Sequence, residues 1–208
     1  MKNASKCWAI FIFIVIFLLP GSFNIAVCQE DMIRAKIGIQ ISSGSQIKMA
    51  KSRDRIKSGD LIRIFVHPER ASFIYVIYSD RKEASLLNIV QQKMKSATLV
   101  LPSMDDAYEI DGASEFELFT IICSPVAMPE VTDLLGTQTA YTKWAVLEEE
   151  LIKKSRVMLN DKGDIPFAIA GNVRGGASRE TNASFVKKMR IFSGNFFVIK
   201  TYAFNVIK

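Results

Sequence analysis

The chain reads as a mainly β protein, an antiparallel β-sandwich-like domain with one or two α-helices packed on it in the C-terminal half. Three observations predict this. Apolar and polar residues alternate with period two in several short segments, Gly, Ser, Asp and Pro punctuate the intervals, and only residues 129–135 and 141–154 turn to helical spacing.

The first strand is predicted where Ile33, Ala35, Ile37, Ile39 and Ile41 alternate with Arg34, Lys36, Gly38 and Gln40, ending in a turn over residues 42–45. A second turn, Lys57-Ser58-Gly59-Asp60, launches a strand with Ile62, Ile64 and Val66 on one face and Leu61, Arg63, Phe65 and His67 on the other. After Pro68-Glu69-Arg70-Ala71 comes residues 72–79, apolar on both faces: Phe73, Tyr75 and Ile77 against Ile74, Val76 and Tyr78. A strand of that kind is covered from both sides. Further strands are expected at residues 85–90, 98–101 and 115–123.

The period then changes. Residues 129–135 form a short helical candidate, and in residues 141–154 Trp144, Leu147 and Leu151 fall on one helical face. Glu149 with Lys153 and Glu150 with Lys154 stand at i,i+4 in the favourable order. The Trp144 stripe is read as a face docked on the sheet. Strands return at residues 165–170, 185–192 and 196–207, with Ser193-Gly194-Asn195 turning between the last two. The final run is apolar on both faces, so it is expected inside a sheet, where its removal would abolish folding.

The N-terminus predicts export. Lys2 and Lys6 precede an apolar run, residues 8–19, broken by Pro20 and Gly21. That run has a signal peptide's length and falls short of the ~20 residues a spanning helix needs. Ala26 and Cys28 occupy the positions a signal peptidase reads, so residues 1–28 are expected to be removed and 29–208 to form one β-rich domain without a transmembrane helix. Ile25-Ala26-Val27-Cys28 also approximates the box before a lipidated cysteine, with Val27 where a small residue is usual; a lipid anchor at Cys28 is the alternative. The expected location is the periplasm or cell envelope, or outside the cell.

Composition narrows the function classes. The net charge of +6 becomes +4 once Lys2 and Lys6 are lost. The densest basic cluster, Lys48, Lys51, Arg53, Arg55 and Lys57, is read as a solvated surface loop, not a nucleic-acid site. Of the three cysteines only Cys123 is certain to remain in the mature chain, so no internal disulfide is expected and stability must come from the core.

The succession GDLIRIFVHPERASFIYVIYSD, then SLLNIV, LVLPS and FELFTIICS, is similar to the bacterial domain-of-unknown-function 4384 family, over roughly residues 55–125. IAGNVRGG and FSGNFFVIKTYAF resemble the C-terminal part of its secreted members. The resemblance implies a compact β-rich envelope module, sometimes appended to kinase-like or caspase-like domains, and carries no activity with it. By analogy it suggests an interaction module binding a protein or cell-wall component.

Candidate sites are sparse. His67, the only histidine, lacks an orienting partner on its strand face and precedes Pro68, so it fits the first position of a turn; a lone histidine cannot supply the ligand cluster of a transition-metal site. Cys123 shares a strand face with Phe119 and Ile121 and reads as a packed thiol, not as half of a Cys–His pair. No Gly-x-Ser-x-Gly elbow occurs. The acidic segment Asp105-Asp106-Ala107-Tyr108-Glu109-Ile110-Asp111-Gly112 could gather oxygens for calcium, but it lacks EF-hand spacing and also fits an exposed edge. Gly171-Asn172-Val173-Arg174-Gly175-Gly176, with Arg179, could cradle an anion; it lacks the Lys-Ser/Thr ending of a phosphate loop and reads as a tight connection. The expectation is a non-catalytic module without cofactor or metal, whose partner contacts are Arg174, Arg179, Arg63 and Asp80. The competing classes are an envelope enzyme built around Arg63, His67 and Asp80, and a structural subunit that adds an edge strand to an assembly.

Overall fold

The computed structural model describes residues 32–89, 92–95, 97–155 and 182–207. The expected signal peptide, Cys28, the strand at 165–170 and the loop with Arg174 and Arg179 lie outside these residues.

The described residues form the mainly β fold the sequence predicts, as two sheets. The first has the order β11-β1-β4-β7, from β1 (Ile33–Ser43), β4 (Leu61–Pro68), β7 (Leu99–Leu101) and β11 (Arg190–Gly194), with β2 (Gln46–Met49) on β1 and β8 (Tyr108–Glu109) on β4. The second has the order β10-β6-β5-β9-β12-β3, from β3 (Arg55–Lys57), β5 (Phe73–Ser79), β6 (Glu83–Leu86), β9 (Phe116–Ser124), β10 (Thr139–Ala140) and β12 (Val198–Ile207). All pairings are antiparallel except β3 with β12, which run parallel, so the second sheet is mixed.

Period-two alternation places the core between the sheets. Ile37, Ile39 and Ile41 of β1, and Ile62, Ile64 and Val66 of β4, face Ile74 and Val76 of β5, Ile121 and Cys123 of β9, and Tyr202 and Phe204 of β12. Each fully buried isoleucine contributes roughly 2 kcal/mol of apolar transfer free energy.

The outer faces carry helices. On the second sheet, Tyr75, Ile77 and Ile122 meet Val131 and Leu135 of α1 (Pro129–Leu135) and Trp144 and Leu151 of α2 (Tyr141–Ser155). Pro129 in the first turn of α1 has no N–H to lose there. Tyr75 adds a tie, its hydroxyl oxygen accepting the Met128 N–H at 2.8 Å. The i,i+4 pair Glu149–Lys153 forms at 2.8 Å on the exposed side of α2. None of the helices among the described residues is long and apolar enough to cross a membrane.

On the first sheet's outer face sits α3 (Asn182–Lys188), where Phe185 and Met189 pack with Phe65. This corrects the expected strand at 185–192: Phe185 lies in the helix, Met189 directly follows its end, both pack on Phe65, and the strand starts only at Arg190. Gly38 of β1 makes room for the helix, since a Cβ there would stand 3.0 Å from Met189 Cγ and 3.2 Å from Phe185 Cε1. The basic stretch is also corrected. It is not a loop throughout: Lys48 lies in β2, while Arg55 and Lys57 flank the fully buried Ile56 in β3. The side chains of Lys48, Lys51, Arg53, Arg55 and Lys57 are all exposed.

Two turns fix the strand ends. Gly59 adopts φ +84°, which only glycine tolerates freely. Beside it the Asp60 carboxylate accepts the Lys57 N–H at 2.9 Å and the Ser43 hydroxyl at 2.6 Å, joining the turn to β1. After β6, which ends at Leu86 and not at residue 90, the Asn88 side chain acts as a strand partner: it accepts the Val76 N–H and donates to the Ile74 carbonyl.

Candidate functional site

An open cleft of about 240 Å³ lies where β8 of the first sheet faces β5 and β9 of the second. Tyr78, Leu87, Tyr108, Ile110 and Phe119 wall it, and Glu109, Asp111 and Glu117 bring carboxyl groups to it. Its volume is below the 300–1,000 Å³ of drug-sized sites and suits one side chain or a small molecule.

Glu117 is the unusual member. On β9 it shares a parity with Phe119, Ile121 and Cys123, so alternation turns it inward, and only 4% of it is exposed. Burial pushes its carboxyl above the usual glutamate range; the Tyr78 hydroxyl, which donates to it, works the other way, and the charges of Asp111 and Asp80 add to the rise. No cation among the described residues forms an ion pair with it. Tyr78 is pushed up in turn, first by burial, then by its bond to Glu117 and by the charges of Glu117, Asp80 and Asp111. Beyond the cleft the inner faces continue as aromatic rings: Tyr78 and Phe119 have centroids 5.6 Å apart, and Phe119 and Phe204 6.1 Å.

The acidic segment is partly built into the fold. Tyr108 and Glu109 pair with Ile62 and Leu61, and Ile110 is buried between the sheets. Asp106 accepts the Ser103 hydroxyl at 2.9 Å, and Asp111 accepts the Ala113 N–H at 2.7 Å. Among the described residues no three His, Cys, Asp or Glu side chains are gathered as metal ligands.

The sequence-predicted residues are dispersed. Arg63 donates from Nε to the Asp106 carbonyl at 2.8 Å, tying the acidic segment to β4. His67 contacts the Thr98 hydroxyl at 3.1 Å through Nδ1, on a β4 position opposite Lys36. Asp80 closes the β5–β6 turn, where Arg81 takes φ +68°. One of its oxygens accepts the N–H groups of Lys82 and Glu83, both at 2.9 Å, and the other accepts the Ser114 hydroxyl. Burial alone would raise its carboxyl. The amides of Glu83 and Lys82, the Ser114 hydroxyl and the Lys82 charge outweigh that and hold it below the usual aspartate value. No bond joins Arg63, His67 and Asp80: the first two lie on β4 of the first sheet, and Asp80 lies in the β5–β6 turn of the second. Cys123 is wholly buried in the core, and burial pushes its thiol up to about 12.

A second buried carboxylate serves packing. Glu148 of α2 faces the second sheet between Trp144 and Leu151 and is 8% exposed. Thr120 and Thr201, opposite each other on β9 and β12, donate to its Oε1 at 2.6 and 2.7 Å. Their hydroxyls also stand 3.0 Å apart, but each has one proton, spent on the carboxylate.

Sequence reasoning missed Glu117 and Glu148. The signal was present in both: a charged residue at an apolar phase, once in a period-two strand and once four residues after Trp144 on a helical stripe. No family model matches the chain, and no curated protein or solved structure shows significant similarity to it.

Proposed function

We propose that this chain is a non-catalytic binding module of the bacterial cell envelope, exported by its N-terminal segment, and that it holds a protein or cell-wall component at the cleft between β8, β5 and β9. The observation that carries the reading is the cleft: a small open site with aromatic walls and a buried carboxylate, Glu117. Concave, largely apolar sites with a few convergent polar groups are where proteins bind. Membership of the domain-of-unknown-function 4384 family, through residues 55–125, belongs to the same proposal.

The dispersal of the other reactive groups supports it. General acid–base or nucleophilic catalysis requires a reactive group within hydrogen-bond reach of its partner. His67 is engaged with Thr98, Cys123 is buried, and Asp80 is engaged by backbone amides.

A photo-crosslinking residue placed at Tyr108, on the cleft wall, tests the reading in envelope extract, with the exposed Val146 of α2 as the control position. A defined adduct is expected at position 108 and absent at 146. Equal labelling at the two positions, or none at 108, refutes the assignment.

A further inference from the structure

The structure assigns a chemical class to the occupant of this cleft: we infer that it takes a primary ammonium group on an apolar stem, seated against Glu117 between the rings of Tyr78, Tyr108 and Phe119. The inference rests on the binding reading given above.

Three features point the same way. The first is charge. The chain carries a net +6, yet the charged groups at this cleft are Glu117, Asp111 and Glu109, with Asp80 just beyond. The second is the state of Glu117. A carboxylate accepts through two oxygens at about four lone-pair sites, and among the described residues only the Tyr78 hydroxyl donates to Glu117, while the charges of Asp111 and Asp80 stand near it. An entering cation would supply the missing donors and opposite charge, which a buried carboxylate needs most. The third is the wall. Aromatic faces attract ammonium groups through their quadrupoles, most strongly when water is excluded, and Leu87 and Ile110 complete an apolar lining for a methylene stem. A neutral or anionic guest would leave the carboxylate uncompensated.

Two sources share this chemistry, a lysine side chain in a partner and a free alkylamine. Three probes are titrated into the purified chain by NMR at pH 7: N-acetyl-lysine-N-methylamide, its norleucine counterpart lacking the ammonium, and n-pentylammonium. The expected result is a Kd near 1 mM, about what so small a ligand reaches, for at least one ammonium probe. The norleucine probe should bind at least about tenfold more weakly, a factor equivalent to 1.4 kcal/mol. Tighter binding of the lysine amide identifies a side chain as the source, and tighter binding of pentylammonium a free amine. Glu117→Gln should reduce the preference for charge to within about twofold.

Acidification of the wild-type chain is a second readout, needing no variant. The preference should fade as Glu117 protonates, with Tyr78, Asp80, Tyr108, Glu109 and Asp111 the other titratable groups around it. Equal binding of ammonium and norleucine probes overturns the charge assignment and leaves the binding site standing. If none of the three binds at about 10 mM, the weak end for ligands of this size, both fall. A preference that survives in a folded Glu117→Gln protein and at acid pH also overturns it.

Discussion

Replacing Thr201 by Val removes one donor from the buried carboxylate that joins α2 to the second sheet, while nearly preserving side-chain shape. The Thr201 hydroxyl lies 2.7 Å from Glu148 Oε1 and that of Thr120 2.6 Å, under a helix that leaves Glu148 only 8% exposed. Hydrogen bonds to charged groups are worth about 1.5–3 kcal/mol each, so Thr201→Val should cost about 2 kcal/mol. In a chain of this size that lowers Tm by roughly 4–8 °C. Thr120→Val combined with Thr201→Val should cost more than the sum of the two, about 5 kcal/mol, because the last donor leaves with the carboxylate still buried. Adding Glu148→Leu to the pair should then restore most of the loss, since a buried charge replaced together with its partners by apolar groups is often neutral or better. Urea denaturation of wild type, the two single variants, the double and the triple, analysed for midpoint and slope, measures each step. A Thr201→Val protein within about 0.5 kcal/mol of wild type, the ordinary scatter for surface changes, would refute the reasoning. So would a triple variant less stable than the double.

Three further outcomes are expected. Gly38→Ala sets a methyl 3.0 Å from Met189 Cγ and should cost about 1 kcal/mol net, the overpacking penalty outweighing the entropy gained by losing a glycine; in a Met189→Ala background the cost should vanish, and its persistence in urea melts would argue against α3 docking on β1. Asp80→Ala should lose about 1 kcal/mol at neutral pH, the carboxyl being partly solvated. Its native carboxyl titrates below its ordinary 3.8, so its stabilisation is fully present well above that value and is lost as pH falls from there through the lower native one; the gap between variant and wild-type Tm should narrow in acid, and a constant gap down to pH 3 would contradict the assignment. Cys123, with its thiol raised to about 12 and no exposure, should resist alkylation at pH 8 until denaturant is added, read from the Cys123 peptide by mass spectrometry. Rapid native labelling would show that it does not lie in the core.

The long alternating strands were legible in the sequence because their cores are made of β-branched residues at every second position, as in β1 and β4. The helix α2 was legible from Trp144, Leu147 and Leu151. The two-to-four-residue strands β2, β3, β8 and β10 were not: so short a segment shows no period, and its pairing depends on a neighbour distant in sequence. The sequence 185–192 fitted both periods until Phe65 and Gly38 supplied the surface that selects a helix. The cleft was hidden for a related reason. Tyr108 and Asp111 join Glu117 only because β8 is carried on the other sheet, while Glu117 itself announced its position by breaking an apolar row.

The pairing of β1 with β11 and of β3 with β12 sets the order of events as the chain is made. An early strand in each sheet waits for a late one, so loop-closure entropy must be met across most of the sequence before either sheet is complete, the hallmark of slow folders. Until residues 190–207 have left the ribosome, β1 lacks the neighbour at its Ile33–Ile37 edge and β9 lacks the strand it pairs with along Phe116–Cys123. Until those residues emerge, the nascent chain presents bare strand edges, the feature that makes incompletely folded β proteins prone to association.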